Sequence, residues 1–315
     1  SIKEIKEKNI FLSEKIRIFS LLQLISTNLS FVVLSIGYIF SDFSLVNVYE
    51  NSHTTKPLFY KISGVWGNHE GSLLLWISIL IIFSFFFTYK NRSLEKKFIY
   101  LTLFFQNILI SGFLIFLLTN SNPFSMIYPV PKEGLGLNPI LQDPALAIHP
   151  PLLYLGFVGS SIYFSAALAS LISNFTGSNF AYSIKFWVLI SWFFQTLGIM
   201  VGSIWAYYEL GWGGYWFWDP VENSSLMPWF LMTALLHSIL ILQRKTDIYL
   251  WVITLSILTF TMSVTGTFLV RSGILNSVHT FANDPSRGLY ILTFLSFMIF
   301  SSLYVFYKYA PNEKR

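Results

Sequence analysis

The chain contains no cysteine, and charged residues are scarce in it. Without a thiol it can form no disulfide, no thiolate metal site and no redox dithiol of its own. Asp, Glu, Lys and Arg make up 11% of its 315 residues, and 54% are hydrophobic, whereas soluble domains carry about 25% charged residues. A surface so poor in charge needs lipid to cover it, so the sequence predicts an integral protein of a lipid bilayer. Residues 1–17 show no signal-peptide cleavage pattern and are predicted to be a charged arm.

Eight apolar segments are each free of Asp, Glu, Lys and Arg. Because a spanning helix needs roughly 20 apolar residues, each segment predicts one span. The sequence therefore predicts an all-α, polytopic membrane bundle over residues 18–307, followed by a tail at 308–315. The predicted spans cover 18–40, 72–89, 98–118, 152–173, 186–208, 224–243, 248–270 and 289–307.

The Lys and Arg residues are unevenly distributed between the two sides of the predicted bundle. With eight spans both termini lie on one side, and that side holds 15 of the 20 basic residues while the other holds 5. Inner-side loops of membrane proteins are enriched in Lys and Arg, so both termini are predicted to lie inside, on the matrix or cytoplasmic side. The net charge of +5 is thereby explained without a nucleic-acid partner.

The outer connections are long, and the third of them, residues 205–223, is unusually aromatic. It holds four of the ten Trp residues of the chain. An aromatic belt at the lipid interface is one explanation, but a belt needs no contiguous aromatic run broken by glycines. The alternative is a flat apolar platform for a planar ligand. The residues that would form and border it include Trp205, Trp212, Trp216, Trp218 and Asp219.

Two histidines flank this loop in sequence and share its predicted side. His149 lies just before the fourth predicted span, whose start is expected at Pro150 and Pro151, and His279 lies in the next outer loop. Two imidazoles beside a flat aromatic platform suit a six-coordinate haem iron; two ordinary hydrogen-bonded histidines remain the alternative. Arg271, in the same loop as His279, could bind a haem propionate or could simply reach the lipid interface.

The sequence around the other three histidines gives weaker evidence that they bind a ligand. His237 lies inside the sixth predicted span, where an ionisable group is a candidate functional residue, although a hydrogen bond to a neighbouring helix would also explain it. His69 and Glu70 could form a ligand or acid–base pair, but capping of the second span is favoured slightly. His53 lies in a polar stretch and is predicted to be solvated.

The aromatic segment WAYYELGWGGYWFWDPVEN resembles the WWD motif of haem-handling membrane proteins. Three further segments resemble the CcmF haem lyase family of cytochrome c maturation: GVWGNHEGSLLLW, NPILQDPALAIHPPLLYLG and GTFLVRSGILNSVHTFANDPSRG. The resemblance extends from about residue 31 to the end of the chain. Tyr215 stands where the motif usually has Trp, a change that keeps an aromatic ring.

This resemblance implies which residues bind haem. His149 and His279 would ligate the b-type haem that is about to be attached, and the WWD loop would hold its face. His237 would ligate a second b-type haem. The implied reaction adds the two thiols of an apocytochrome c CxxCH motif across the haem vinyl groups. It needs positioning more than acid–base chemistry, so no catalytic residue is assigned.

The resemblance also implies partners and a location. The expected partners are the haem chaperone CcmE and apocytochrome c with its thiol-reducing factors. The family continues beyond eight spans, so the chain is expected to be the amino-terminal part of a split mitochondrial form. A carboxy-terminal CcmF-like chain would then supply the second ligand of the His237 haem. The expected location is the mitochondrial inner membrane, with the bacterial cytoplasmic membrane as the alternative, and the working face would point to the intermembrane space or periplasm.

Other functional classes stay open at this point. The related synthase subunit CcsA also has a WWD loop, but the segments around His69 and His149 argue against it. A non-catalytic haem-transfer subunit such as CcmC, or a structural respiratory-complex subunit that retains the motif, are further alternatives. An oxidase core is excluded, because it needs several histidines inside the membrane and only His237 qualifies.

Overall fold

A computed structural model describes residues 2–311 except 92, 212–213, 246, 273 and 275–284. The described residues form helices and connecting segments. The α-helices found in this part of the chain are α1 (Ile2–Phe40), α2 (Val46–Asn51), α3 (Leu58–Gly64), α4 (His69–Lys90), α5 (Lys96–Asn120), α6 (Pro144–Phe157), α7 (Ser161–Ser173), α8 (Gly177–Glu209), α9 (Pro220–Leu242), α10 (Tyr249–Arg271) and α11 (Pro285–Tyr309).

Eight stretches of helix are long and apolar enough to cross a membrane, so the predicted all-α bundle is confirmed. They coincide with the eight predicted spans, and α6 and α7 together form the fourth one. We call the end of the bundle that carries the short connections and both termini the terminus end. The opposite end, which carries the long connections, is the loop end. Which end faces the cell interior stays a prediction.

Two helices begin earlier than the spans predicted from the sequence. α1 runs unbroken from Ile2 into the first span, so the predicted charged arm at 1–17 is continuous with that span. The fourth span was expected to start at the Pro150–Pro151 pair, but α6 starts at Pro144 and carries both prolines inside it. The side chain of Asp143 accepts hydrogen bonds from the backbone N–H groups of Ala145 and Leu146, and such an N-cap starts a helix.

The centre of the bundle is formed by α4 and the α6–α7 span, while α1 and α11 lie at the periphery. The main contacts pair α6 with α8, α9 with α10, and α5 with α7. Buried polar groups join these helices inside the apolar core. Gln106 of α5 donates to the carbonyl of Leu80 in α4 and is bonded to Ser161 and Ser165 of α7, so its amide is satisfied without water.

The first two long connections, 41–68 and 121–143, pair with each other through backbone hydrogen bonds and form a cap on the loop end. Glu70, in the first turn of α4, forms an ion pair of 2.6 Å with Arg287 of α11. Asn47 of α2 donates to Glu70 and to Asn68, and Tyr38 of α1 donates to Asn47. The first turn of α4 therefore joins α1, α2 and α11 at this end of the bundle.

Candidate functional site

A cavity of about 200 Å³ lies at the loop end of the bundle, between α6, α8, α9 and α10. Its walls include His149 of α6, Gly202 of α8, Glu222 of α9 and Arg271 of α10, together with Trp216 from the aromatic loop. A neighbouring cavity of about 160 Å³ is lined by Asn68, His69 and Ser72. The two cavities share a wall formed by Leu146, Pro150, Tyr154, Val270 and Arg271.

The position of His149 depends on the way α6 tolerates its internal prolines. A proline inside a helix cannot donate to the carbonyl four residues earlier, so Pro151 leaves the carbonyl of Ala147 without its helical donor. The indole N–H of Trp66 donates to that carbonyl at 2.8 Å. The helix therefore continues through the prolines, and His149 sits within it rather than before it.

The orientation of His149 follows from a second hydrogen bond. Its Nδ1 lies 2.7 Å from the carbonyl oxygen of Gly198 on α8. A carbonyl can only accept, so Nδ1 carries the proton and Nε2 is the ring nitrogen with a lone pair. In a metal-ligating histidine, the ring nitrogen that does not bind the metal usually donates a hydrogen bond of this kind.

Two glycines allow α8 to come this close to the imidazole. A Cβ at Gly202 would lie 2.4 Å from Cε1 of His149, and a Cβ at Gly198 would lie 2.8 Å from the Leu153 side chain. The two glycines are four residues apart and therefore on one face of α8. This small-xxx-small spacing is a known signal of close helix packing in membranes. It is present in the sequence and would have indicated a close-packing face on α8.

Arg271 lies at the wall shared by the two cavities and is only 6% exposed. Its guanidinium donates to the carbonyl of His69 at 3.2 Å and to the hydroxyl of Ser72 at 2.6 Å. Among the residues that the structure describes, no carboxylate lies within ion-pair distance of it. A buried cation whose protein partners are neutral is suited to an anionic ligand.

The aromatic loop is built on the junction of α8 and α9. The side chain of Asp219 accepts from Val221 N, and that of Glu222 accepts from Asp219 N and Phe217 N, which is a capping box at the start of α9. Trp218 adopts a left-handed backbone with φ of 61°, and its side chain turns outward with 72% exposed. Asp219 is therefore the N-cap of α9. Its predicted role at the border of the platform stays a prediction.

The tryptophans of the loop have different surroundings. Trp216 lines the cavity, and its buried indole N–H has no hydrogen-bond acceptor among the described residues. Trp205 is 1% exposed and packs with Leu146 and Ala206 behind the cavity. Trp212 and His279 fall outside the described residues. The structure thus brings His149, Trp216 and Arg271 to one cavity, with Trp205 supporting it.

His237 lies apart from this cavity, on an exposed face of α9. Its Nδ1 is 2.8 Å from the carbonyl of Thr233 in the same helix, so Nδ1 again carries the proton. The side chain of Thr233 accepts from the indole of Trp192 at 2.9 Å, and Trp192 stacks on Trp229. The sequence analysis did not identify the contact of Trp192 with Thr233, because it depends on how α8 packs on α9.

Neither of the other two described histidines, His53 and His69, lines the larger cavity. Asn68, rather than His69 or Glu70, caps α4, because its side chain accepts from Gly71 N. His69 lines the smaller cavity, and Glu70 pairs with Arg287. His53 lies at the surface, 2.9 Å from the hydroxyl of Thr55.

Comparison with known proteins assigns this architecture to a family. The model of the family described as cytochrome c assembly protein matches residues 66–275, which include α4, α6, the aromatic loop and α10. The chain belongs to the cytochrome c assembly protein family. Its similarity to CcmF proteins, given next, confirms the predicted resemblance to them, whereas the split mitochondrial form stays a prediction.

The relatives of this assembly-family chain are about twice its length. It is 52% identical over 296 residues to the cytochrome c-type biogenesis protein CycK of Bradyrhizobium diazoefficiens, covering 94% of the chain and 45% of that protein. It is 46% identical over 291 residues to CcmF of Escherichia coli, covering 92% and 45%. A solved structure of cytochrome c haem lyase CcmF aligns with a TM-score of 0.78 at 27% identity, covering 94% of the chain and 46% of that structure. The chain therefore spans about half the length of these relatives.

Proposed function

We propose that this chain forms the haem-holding part of a cytochrome c haem lyase, in which b-type haem is the substrate at the loop-end cavity. The observation that carries the proposal is the convergence of His149, Trp216 and Arg271 on that cavity. The family membership supports the same activity, and a related structure is named as a cytochrome c haem lyase.

The residues present fit haem at three points. The tautomer of His149 gives Nε2 the lone pair that an iron ligand needs. The buried guanidinium of Arg271 has only neutral protein partners and suits a propionate. The indole of Trp216 provides a flat apolar part of the wall of the same cavity. His279, the proposed second iron ligand, belongs to the connection between α10 and α11.

The chemistry that haem supplies is a pair of vinyl groups, across each of which a CxxCH thiol adds to form a thioether carbon–sulfur bond. The part of this chain is to hold the ring so that the vinyl edge meets the peptide. Such positioning converts an encounter of two molecules into an intramolecular reaction, which can supply a large share of the rate enhancement. The thiols come from the cytochrome, which accords with a cysteine-free chain.

A second haem is proposed at His237. On α9 this imidazole shares an exposed face with Phe230, Ala234 and Ile241, so a further axial ligand can approach only from outside the described bundle. We expect it from a carboxy-terminal CcmF-like chain packed against α9.

The other proposed partners are the haem chaperone CcmE, apocytochrome c and its thiol-reducing factors. The proposed membrane is the mitochondrial inner membrane, with the bacterial cytoplasmic membrane as the alternative.

Histidine replacement tests the proposal. His149→Ala and His279→Ala should each lower haem retention and holocytochrome c yield by at least about tenfold, because loss of an axial ligand weakens iron binding. His53→Ala, a surface histidine of the same end, is the matched control and should behave as the wild type. Added imidazole should partly restore haem binding in His149→Gly. Unchanged retention in both ligand variants would refute the site, and retention without thioether formation would identify a haem-transfer subunit instead.

A further inference from the structure

A separate cavity of about 260 Å³ lies between α1 and α4 at the terminus end of the bundle, far along the chain from the haem site. Its lining consists of residues from two turns of each helix: Arg17, Ile18, Ser20 and Leu21 of α1, and Phe85, Thr88 and Tyr89 of α4. It is unrelated to the loop-end cavities, with which it shares no lining residue.

The cavity lies far along α1 from the contacts that hold this helix to α4 at the loop end. There, Leu34 and Tyr38 are fully buried, and Tyr38 accepts a hydrogen bond from Asn68, which caps α4. One face of α1 is apolar and exposed along its length, including Ile18 at the terminus end and Phe40 at the loop end. The cavity between α1 and α4 is therefore a wedge beside a face that α1 turns to the hydrocarbon region of a membrane.

The wedge is amphipathic, with its polar groups near the end of the span. Ile18, Leu21 and Phe85 form apolar walls, whereas Arg17, Ser20 and Tyr89 provide donors. Arg17 lies one turn inside the start of the spanning stretch Glu14–Phe40, the depth at which arginine reaches lipid headgroups. Glu14 is close by in sequence, but the terminus end as a whole is strongly basic, with 15 of the 20 Lys and Arg residues.

We propose that this wedge binds one anionic phospholipid, with the headgroup phosphate at Arg17 and an acyl chain along the apolar walls. Basic pockets between spanning helices are a recurrent type of site for acidic lipid headgroups. A free phosphate ion would use only the donors and would leave the walls formed by Ile18, Leu21 and Phe85 uncovered. A zwitterionic phospholipid also offers a phosphate and acyl chains, but it places a cationic headgroup beside the basic residues of this end. An anionic phospholipid matches the donors, the walls and the local charge, and it fills the gap between the peripheral α1 and the central α4.

Native mass spectrometry of the full chain, purified in detergent, tests this lipid site. Equal amounts of dioleoyl-phosphatidylglycerol and dioleoyl-phosphatidylcholine are added, and the bound lipids are counted. The wild type should retain one phosphatidylglycerol in preference to phosphatidylcholine. Arg17→Gln should lower that preference by about fivefold, the effect of one basic residue at a lipid headgroup. Arg17→Lys should retain most of it, which shows that the site is intact.

Lys185→Gln is the matched control, since it removes a basic residue at the same end without touching the wedge. It should leave the preference unchanged. Equal retention of the two lipids by the wild type, or equal effects of Arg17→Gln and Lys185→Gln, would overturn the proposal. Displacement of phosphatidylglycerol by millimolar inorganic phosphate would identify a phosphate-ion site and would overturn the assignment to lipid.

Discussion

His149 owes its position to what surrounds it on α6 and α8. The carbonyl of Gly198 fixes the tautomer, and the missing side chain of Gly202 makes room for the ring. Neither glycine bears a functional group, yet both allow the imidazole, which lines the cavity, to lie close against α8. At the scale of single residues, the proposed haem site therefore depends on small residues of a neighbouring helix as much as on its ligands.

Gly202→Ala should impair haem binding without impairing the fold. The new Cβ would meet Cε1 of His149 at 2.4 Å, so the imidazole must turn away from its hydrogen bond. We expect haem retention to fall by at least about tenfold, since small displacements of a reacting group have large effects. Thermal stability should stay near the wild-type value, because Ala favours helix by up to about 1 kcal/mol over Gly.

Ser203→Ala is the control for this substitution, as Ser203 lines the same cavity and its hydroxyl bonds only to its own helix. Normal haem retention in Gly202→Ala, measured by the absorption spectrum of the purified protein, would contradict the proposed ligand geometry.

Lys56 is a buried cation of the loop-end cap, outside the spans. Its ammonium donates to the carbonyl of Asn51 at 3.1 Å, and burial, followed by the nearby charge of Lys61, lowers its pKa to about 8. The unfolded chain has the ordinary lysine pKa of about 10.4. Between these two pKa values the unfolded state binds more protons than the folded state, so the free energy of unfolding rises with pH. Below a pH of about 8, Lys56 is charged in both states, and the full penalty of burying its charge lowers the stability of the fold.

The wild type should therefore gain thermal stability between pH 7.5 and 9.5, by roughly 2–4 °C in Tm, and Lys56→Met should lose this gain. Lys132→Met, which removes an exposed lysine of the same end, should keep it. A pH dependence that is identical in all three proteins would show that Lys56 carries its usual pKa.

At the scale of helices, the start of α6 shows where sequence patterns mislead. A Pro–Pro pair usually marks a helix start, yet α6 begins six residues earlier, at the Asp143 cap. The helix continues through the prolines because Trp66, more than 80 residues away in the sequence, donates to the carbonyl of Ala147. Pro151 has no N–H to donate to this carbonyl. Nothing local to the prolines indicates this donor.

Trp66→Phe should destabilise the protein by about 1–3 kcal/mol, the cost of a buried carbonyl without a donor. Pro151→Ala restores an N–H at the position that would serve Ala147. The double variant Trp66→Phe with Pro151→Ala should therefore recover much of the loss, as measured by thermal unfolding in detergent. Additive losses in the double variant would show that Trp66 acts through its packing on Phe31 rather than through this hydrogen bond.

The first turn of α4 connects the two helices that flank the His279 connection. Arg271, the last residue of α10, donates to His69 and Ser72, and Arg287, in the first turn of α11, pairs with Glu70. The His69–Glu70 pair, whose role the sequence left open, is thus part of a structural junction. The same junction brings Arg271 to the haem cavity.

At the scale of the whole molecule, the distribution of charge predicts the orientation in the membrane. The loop end should face outward, because the terminus end holds most of the basic residues. Since the chain has no cysteine, one introduced cysteine is a unique label. Leu135→Cys at the loop end and Ser93→Cys at the terminus end both lie at exposed positions.

An impermeant maleimide added to intact cells or mitoplasts should label Leu135→Cys at least about tenfold faster than Ser93→Cys, which reacts only after permeabilisation. The reverse pattern would place the haem cavity on the inner side and would overturn the proposed access for cytochrome and chaperone.

The spans, the all-α architecture and the residue types of the candidate site could be predicted from the amino-acid sequence. Hydrophobic length alone decides where a helix can cross a bilayer, so the eight spans were predictable. The histidines and the WWD segment were recognisable because their chemistry is rare within an apolar chain.

Which of these residues lie close together depends on the packing of the helices and could not be predicted. Trp216 and Trp218 are two positions apart, yet one lines the cavity and the other faces outward, because the loop turns at the left-handed backbone of Trp218. The tautomer of His149, the neutral partners of Arg271 and the rescue of α6 by Trp66 all involve groups distant in sequence. Such contacts depend on how helices pack. A hydrophobic pattern predicts where each helix lies in the sequence, but it does not predict which other helices will pack against it.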